Sequence, residues 1–257
     1  MSVRGATLGA LLPALTAAAV WAADDPRRSG FDFMSAPIQA LQRDDTQNPG
    51  MLWVSEGEEL WKQRIGTDAR SCAGCHGDAS LSMRGVATRY PSFDAQAQRA
   101  VDLGARIQLC RQRHQGAAPL AAESQALLSL QSYVAFQSRG LTVAPPADPQ
   151  LDAPRERGRQ LFFRRIGQLD LACTQCHDAN AGRRLGGSVI PQAHATGYPS
   201  YRLEWQNLGS LQRRVRNCMS GVRAEPFAFG AQELVDLESY LATRDRGMAL
   251  ETPAVRP

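Results

Sequence analysis

The chain contains two copies of the pattern Cys-x-x-Cys-His, at Cys72–His76 and Cys173–His177. This spacing is typical of covalent haem c attachment, in which two thiols bond to the haem and the adjacent histidine ligates its iron. A structural zinc site would need four Cys or His ligands together, and a redox dithiol would not need the histidine twice. The sequence therefore predicts two covalently bound haem c groups. The predicted attachment residues are Cys72, Cys75, Cys173 and Cys176, and the predicted proximal iron ligands are His76 and His177.

The amino terminus has the pattern of a secretory signal peptide. Arg4 precedes an apolar stretch from Leu8 to Val20, and small residues follow at Ala22 and Ala23. We expect residues 1–23 to be removed and the protein to work in the periplasm, because bacterial haem c is attached outside the cytoplasm. The apolar stretch is short for a membrane span, and no later segment is long and apolar enough. The net charge of +4 gives no indication of nucleic-acid binding.

An internal repeat surrounds the two haem motifs. Gly57–Gly66 matches Gly158–Gly167 just before the motifs, and Leu127–Gly140 matches Leu234–Gly247 further along the chain. Apolar residues spaced three and four apart predict helices in these segments. The proline-rich segment from residue 143 predicts a linker. We therefore predict a mainly α protein with two tandem class I cytochrome c-like domains and extensive loops, at residues 24–142 and 156–257, joined by a linker at 143–155.

Two cysteines remain after the four predicted thioether bonds. Cys110 and Cys218 each lie between a haem motif and its closing helix, and each follows an arginine by four residues, Arg106 and Arg214. The repeat thus offers one equivalent cysteine as distal ligand for each haem. A thiolate donates more electron density to iron than methionine does and would hold the haem at low potential. Such a haem suits a site where sulfur itself reacts.

The sequence leaves other interpretations of these positions open. Cys110 and Cys218 could form a disulfide in an oxidising compartment. His114, four residues after Cys110, could compete for the first iron, although a surface position is the simpler expectation. Met219 is the one serious methionine candidate for a distal ligand. His194 lies in a turn-rich loop, where a structural role is expected.

Two segments of the second half carry a resemblance to a known family. Thr196–Arg202 and Leu211–Arg223 closely resemble the SoxA family, whose members are subunits of the SoxAX cytochromes of bacterial thiosulfate oxidation. The resemblance covers most of the chain after the predicted signal peptide and includes both haem motifs. Some members of that family keep only the C-terminal haem, so this sequence is similar to the dihaem type.

The resemblance implies a specific activity and specific partners. A SoxA protein pairs with a small monohaem cytochrome, SoxX, and couples thiosulfate to a cysteine of the carrier protein SoxYZ. Two electrons pass to an acceptor c-type cytochrome. The implied iron ligands are His76 with Cys110 and His177 with Cys218. The C-terminal haem is then the catalytic one, with Cys218 as the active cysteine, carried as a persulfide, and Arg214 as the active-site arginine.

The chemistry of thiosulfate agrees with this expectation. A small dianion needs fixed positive charge with several N–H donors, which Arg214 would supply beside the Cys218 sulfur. Four further arginines are candidates for widening the positive patch, with solvated surface charge as the alternative: Arg202, Arg213, Arg216 and Arg223. The rival functions are a plain dihaem electron carrier and a thiosulfate dehydrogenase that forms tetrathionate. A purely structural role for the first domain is also open.

Overall fold

The computed structural model describes residues 1–2 and 25–257, and helices form most of its regular structure. The helices of the first half are α1 (Ala36–Arg43), α2 (Met51–Lys62), α3 (Cys72–His76), α4 (Ala79–Ser82), α5 (Leu103–Gln115) and α6 (Gln125–Phe136). Those of the second half are α7 (Asp152–Phe163), α8 (Cys173–His177), α9 (Leu211–Gly221) and α10 (Gln232–Arg244). The prediction of a mainly α fold is confirmed.

Within the described residues, seven short strands complete the fold. Strands β1 (Ser92–Asp94) and β2 (Arg99–Val101) pair as an antiparallel hairpin in the first half. The second half contains a small hairpin, β3 (Arg184–Leu185) with β4 (Ser188–Val189), and a three-stranded sheet. That sheet has the order β6-β5-β7 and consists of β5 (Ser200–Arg202), β6 (Asn207–Gly209) and the C-terminal β7 (Ala254–Arg256).

Each half is held together by two helices that cross at a glycine. Helix α2 packs against α6, and α7 packs in the same way against α10. A Cβ atom on Gly57 would collide with the carbonyl oxygen of Ser129, and one on Gly158 would collide with that of Asp236. Only glycine therefore allows the two backbones to approach so closely. The repeated helix crossing confirms the predicted pair of cytochrome c-like folds.

The two halves exchange contacts through their strands. Ala100 of the first hairpin packs against Val235 of α10, with Leu151 completing a buried cluster. Conversely, Tyr201, Leu208 and Val255 of the three-stranded sheet pack against Leu128 of α6, with residues of α1 alongside. Strand β7 runs parallel to β5, and this pairing sets Arg256 beside Arg202. The chain's last strand is therefore part of the structure around the second haem motif.

The loop and helix after each haem motif also repeat. A cis Tyr-Pro bond, at Tyr90 and at Tyr198, precedes the strands β1 and β5. A hairpin follows each bond, and then the helix that carries Cys110 or Cys218. The last position of β1 is Asp94, whereas the equivalent last position of β5 is Arg202. The two repeats thus carry opposite charges at this equivalent strand position.

The fold does not test two predictions, the signal peptide and the domain boundaries. The predicted signal peptide lies almost entirely within residues 3–24, outside the described residues. The boundaries 24–142, 143–155 and 156–257 stay predictions, with α7 beginning at Asp152 inside the predicted linker. Within residues 25–257, every helix is too short or too polar to cross a membrane.

Candidate haem and thiol sites

The second Cys-x-x-Cys-His motif opens into a cavity of about 580 Å³. The motif forms the single-turn helix α8, which places both thiols and the imidazole on the cavity wall. Helix α9 lines the cavity too, through Arg214, Cys218 and Met219. This volume lies within the range of roughly 300–1,000 Å³ that is usual for cofactor pockets. The structure therefore brings the predicted attachment and ligand residues of the second half to one cavity.

The His177 imidazole is oriented by a backbone group. Its Nδ1 donates a hydrogen bond to the carbonyl oxygen of Pro191, 2.7 Å away. A ligating histidine is commonly fixed in this way through its second ring nitrogen, which leaves Nε2 free to bind a metal. The geometry agrees with the proximal ligand role predicted from the motif.

Cys218 lines the same cavity as His177. Burial disfavours the ionised form of its thiol, but the neighbouring His177 and the charges of Arg214 and Arg202 outweigh burial and lower the pKa of the thiol. Arg214 lies one helical turn before Cys218 on α9, and both side chains line the cavity. A thiol with a lowered pKa beside an arginine is a competent sulfur nucleophile.

Only one of the four additional candidate arginines lines this cavity. Arg202 is 7% exposed and lies in the wall. Arg213 instead stacks over the Trp205 ring, with its Cζ 4.2 Å from the ring centroid. Arg216 stacks over Phe229 at 4.3 Å, and Arg223 is outside the cavity wall. The positive patch is therefore narrower on α9 than the sequence suggested.

Three residues around these sites escaped the sequence analysis. Arg256, the penultimate residue, lines the cavity because β7 pairs with β5. Tyr198 lies beside it, and burial raises the pKa of its hydroxyl against the opposing charges of Arg214, Arg202 and Arg256. Asp94 is the buried charge of the first half. The Tyr-Pro segments common to both halves were a signal that could have directed attention to Asp94 and Tyr198.

The first Cys-x-x-Cys-His motif is more exposed to solvent than the second. Cys75 and His76 are exposed, and the His76 ring lies 5.6 Å from that of Trp61. Cys110 is partly buried near Cys72 and Cys75, and burial raises the pKa of its thiol. The structure thus brings Cys110 to the motif that the repeat predicts for it, as it brings Cys218 to the second motif.

The structure bears on the alternative ligands and the disulfide that the sequence leaves open. All six cysteines are free thiols, so Cys110 and Cys218 are not joined. His114 is exposed in the last turn of α5. His194 donates through Nδ1 to Asp245, 2.7 Å away, in a buried pair. Met219 lines the second cavity beside Cys218, so both side chains lie near the second motif.

The residues of the second half fit a covalently bound haem. Two attachment thiols, an oriented imidazole and a further thiol line one cavity, and these residues would hold a haem c group with its iron. A zinc site finds no support, since no group of three or more His, Cys, Asp or Glu side chains within the described residues is placed to hold a metal ion.

Two cytochrome c-like halves, each with a Cys-x-x-Cys-His turn beside crossed helices, define the molecule as a c-type cytochrome. The family model "SoxA/TsdA, cytochrome c domain" matches residues 56–143 and 157–250. The chain belongs to this SoxA/TsdA cytochrome c family, as its sequence predicts.

Known relatives agree with this membership. The "L-cysteine S-thiosulfotransferase subunit SoxA" of Pseudaminobacter salicylatoxidans is 38% identical over 234 residues, covering 90% of this chain and 82% of the relative. The protein of the same name from Rhodovulum sulfidophilum is 34% identical, with 90% and 81% covered. The crystal structure of SoxXA from P. pantotrophus matches with a TM-score of 0.86 and 30% identity, over 90% of this chain and 87% of that one.

Proposed function

We propose that this chain is the SoxA subunit of a periplasmic L-cysteine S-thiosulfotransferase and binds two haem c groups. The first haem would be attached at Cys72 and Cys75 and ligated by His76 and Cys110. The second would be attached at Cys173 and Cys176 and ligated by His177 and Cys218. Support comes from the cysteine that each half brings to its own motif and from the names of the relatives.

The proposed reaction joins thiosulfate to a cysteine of the carrier protein SoxYZ. A new S–S bond forms between the carrier sulfur and the sulfane sulfur of thiosulfate, the thiol proton is released, and two electrons leave the sulfur pair. Haem c, when bound, supplies an iron centre that accepts single electrons. An acceptor c-type cytochrome would receive those electrons, and SoxX would be the partner subunit, as in the SoxXA structure.

One observation carries this proposal: a thiol and an arginine one helical turn before it line the same cavity as a haem motif. The outer sulfur of Cys218, carried as a persulfide, would bond to the sulfane sulfur of thiosulfate as two electrons leave. The carrier thiolate would then attack that sulfane sulfur and release the Cys218 persulfide, so that a covalent intermediate divides the oxidation into two easier steps. The Arg214 guanidinium would hold the sulfonate oxygens of thiosulfate through its planar fork of N–H donors.

The decisive experiment combines the purified complex of this chain and its monohaem partner with SoxYZ, thiosulfate and an oxidised acceptor cytochrome. We expect acceptor reduction that depends on SoxYZ, together with a thiosulfate adduct on the carrier cysteine, seen by intact-protein mass spectrometry. Acceptor reduction without SoxYZ, with tetrathionate as product, would instead establish a thiosulfate dehydrogenase. If neither reaction occurs, the proposed activity is wrong and electron transfer is the remaining function.

The ligand assignment has its own measurement. Low-temperature electron paramagnetic resonance of the oxidised complex should show low-spin signals typical of His/thiolate ligation from both haems of this chain. Signals typical of His/Met ligation would remove Cys218 from the iron and leave Met219 as the ligand of the second haem.

A further inference from the structure

The two repeat sites differ in charge at one equivalent position. Arg106 and Cys110 on α5 correspond to Arg214 and Cys218 on α9, since both pairs follow the Tyr-Pro hairpin at the same interval. The hairpin itself ends its first strand with Asp94 in the first half and with Arg202 in the second. The same backbone framework therefore places an acid near one Arg-x-x-x-Cys segment and a base near the other.

In the first half Asp94 forms an ion pair with Arg106. Asp94 is 3% exposed, and its carboxylate lies 2.8 Å from Nη1 of Arg106. Arg113 adds two hydrogen bonds to the same carboxylate, of 2.9 and 3.1 Å. The Arg106 guanidinium is thus paired with a buried anion of the protein, which it shares with Arg113.

In the second half the corresponding arginine is left without such a partner. Within the part of the chain that the structure describes, Arg214 has no carboxylate within ion-pair distance. Arg202 occupies the position of the acid, and its own partner, Glu204, is 2.9 Å away with a half-exposed side chain. Replacing an acid by a base at this position therefore frees one guanidinium and adds a second to the cavity wall.

The C-terminal strand adds a third guanidinium. Arg256 pairs in register with Arg202 across parallel strands, and its side chain also lines the cavity. Glu251 accepts a hydrogen bond from Nη2 of Arg256 at 3.1 Å, and the side chain of Gln42 accepts one from Nη1. A Cβ on Gly30 or on Gly197 would press against the Arg256 guanidinium. The group is therefore enclosed and held in one orientation.

Three guanidinium groups around one cavity are costly without an anion. Like charges on directly opposite strand positions destabilise a sheet, and a buried charge needs a partner to offset its loss of hydration. Only Arg202 and Arg256 have carboxylates nearby within the described residues, so the wall keeps an excess positive charge. An oxyanion with several oxygens would offset this cost and would match the planar N–H forks.

We propose that Arg202, Arg214 and Arg256 bind one oxyanion group in the second cavity, and that the Asp94/Arg202 position determines which repeat site accepts it. The chemistry fits two sources, the sulfonate of thiosulfate and a carboxylate of the bound haem. The sulfonate source rests on the proposed function, whereas the carboxylate source needs only the attached haem. In either case Arg256 is a binding residue supplied by the end of the chain.

The test uses the haem-loaded complex and two measurements that need no turnover. Isothermal titration calorimetry gives the Kd for thiosulfate, and spectroelectrochemistry gives the midpoint potential of the second haem and its pH dependence. The variants are Arg202→Asp, which reproduces the charge of the first half, Arg202→Gln and Arg256→Gln. Matched controls are Asp94→Asn at the equivalent first-half position and Arg246→Gln at an exposed arginine near the C-terminus.

For the sulfonate source we expect the Kd for thiosulfate to rise about tenfold in Arg256→Gln and more in Arg202→Asp, because a hydrogen bond to a charged group contributes about 1.5–3 kcal/mol. The midpoint potential would stay close to that of the wild type. For the carboxylate source the Kd would change less than twofold. The potential would fall, because removing a cation stabilises the oxidised iron, and its pH dependence would shift.

Unchanged Kd and unchanged potential in folded Arg202→Asp and Arg256→Gln would overturn the proposal, as would equal effects in Asp94→Asn. If Arg202→Asp fails to incorporate haem, Arg202→Gln and Arg256→Lys carry the same comparison with a smaller change of structure. Failure of the proposed function is seen separately. A wild-type complex that does not couple thiosulfate to SoxYZ contradicts that function, while the binding and potential measurements still decide the role of the arginines.

Discussion

In the proposed function, the Cys218 side chain is both an iron ligand and a sulfur nucleophile. We expect Cys218→Met to keep a six-coordinate low-spin haem, because a thioether can ligate iron, yet to abolish coupling, because methionine cannot form a persulfide. Stopped-flow acceptor reduction together with the visible spectrum measures both. Cys110→Met is the matched control in the first half and should retain activity if only the second haem is catalytic. Near-normal turnover by Cys218→Met would remove Cys218 from the chemistry.

Substitution of Arg214 tests whether a positive charge alone is enough to bind thiosulfate. Arg214→Lys keeps a positive charge but loses the planar fork, so we expect kcat/KM for thiosulfate to fall by roughly tenfold to a hundredfold. Arg213→Lys, one position earlier, alters a side chain that stacks on Trp205 outside the cavity and serves as a comparison. Equal kinetics in the two variants would mean that the substrate does not use the Arg214 fork.

At the scale of elements, the helix crossings depend on one glycine each. Gly158→Ala would force a Cβ into the Asp236 carbonyl oxygen and separate α7 from α10. We expect a loss of roughly 2–4 kcal/mol in unfolding free energy, within the range of severe packing defects, measured by chemical denaturation of the haem-loaded protein. Gly221→Ala is the control, since a Cβ there meets no atom within 4 Å. A Gly158→Ala protein as stable as wild type would show that the crossing adapts easily.

At the scale of the whole molecule, two partly buried acids lie where the halves meet. Asp102 of the first half accepts a hydrogen bond from Gln212 of α9, and Glu238 of α10 lies beside the same glutamine. Burial, followed by the charge of Asp102, raises the pKa of Glu238 well above its usual value. Burial likewise raises the pKa of Asp102. The contact between the halves therefore favours protonated acids.

This arrangement gives stability a defined pH dependence. Because the folded state holds protons more tightly, the contribution of Glu238 is complete below its unfolded pKa, about 4.3, and is lost as pH rises through the raised folded value. We expect Glu238→Gln to raise the melting temperature at pH 7–8, by about 2–4 °C for each kcal/mol gained, and to flatten its pH dependence. Glu233→Gln, at an exposed position of α10, is the control. A lower melting temperature in Glu238→Gln would contradict the argument.

The local parts of this protein could be predicted from sequence. The haem motifs, the helix before each motif and the closing helices depend on residues a few positions apart, and the repeat doubles each signal. The placement of Cys110 and Cys218 near the two motifs was also within reach, because Arg-x-x-x-Cys recurs once per half. The extent of the positive patch could not be predicted from the sequence, because helical spacing does not reveal that Arg213 and Arg216 stack on aromatic rings.

The sequence by itself determined the class of cofactor and the two-part helical architecture, and it predicted a cysteine beside each haem motif, because each follows from short-range spacing. Only the tertiary structure decided how the two sites differ. The pairing of β7 with β5 brings Arg256 to Arg202, and the hairpin fold brings Asp94 to Arg106. Strand pairing and burial join residues far apart in the chain, so the charge around each thiol is set by contacts that no local pattern records.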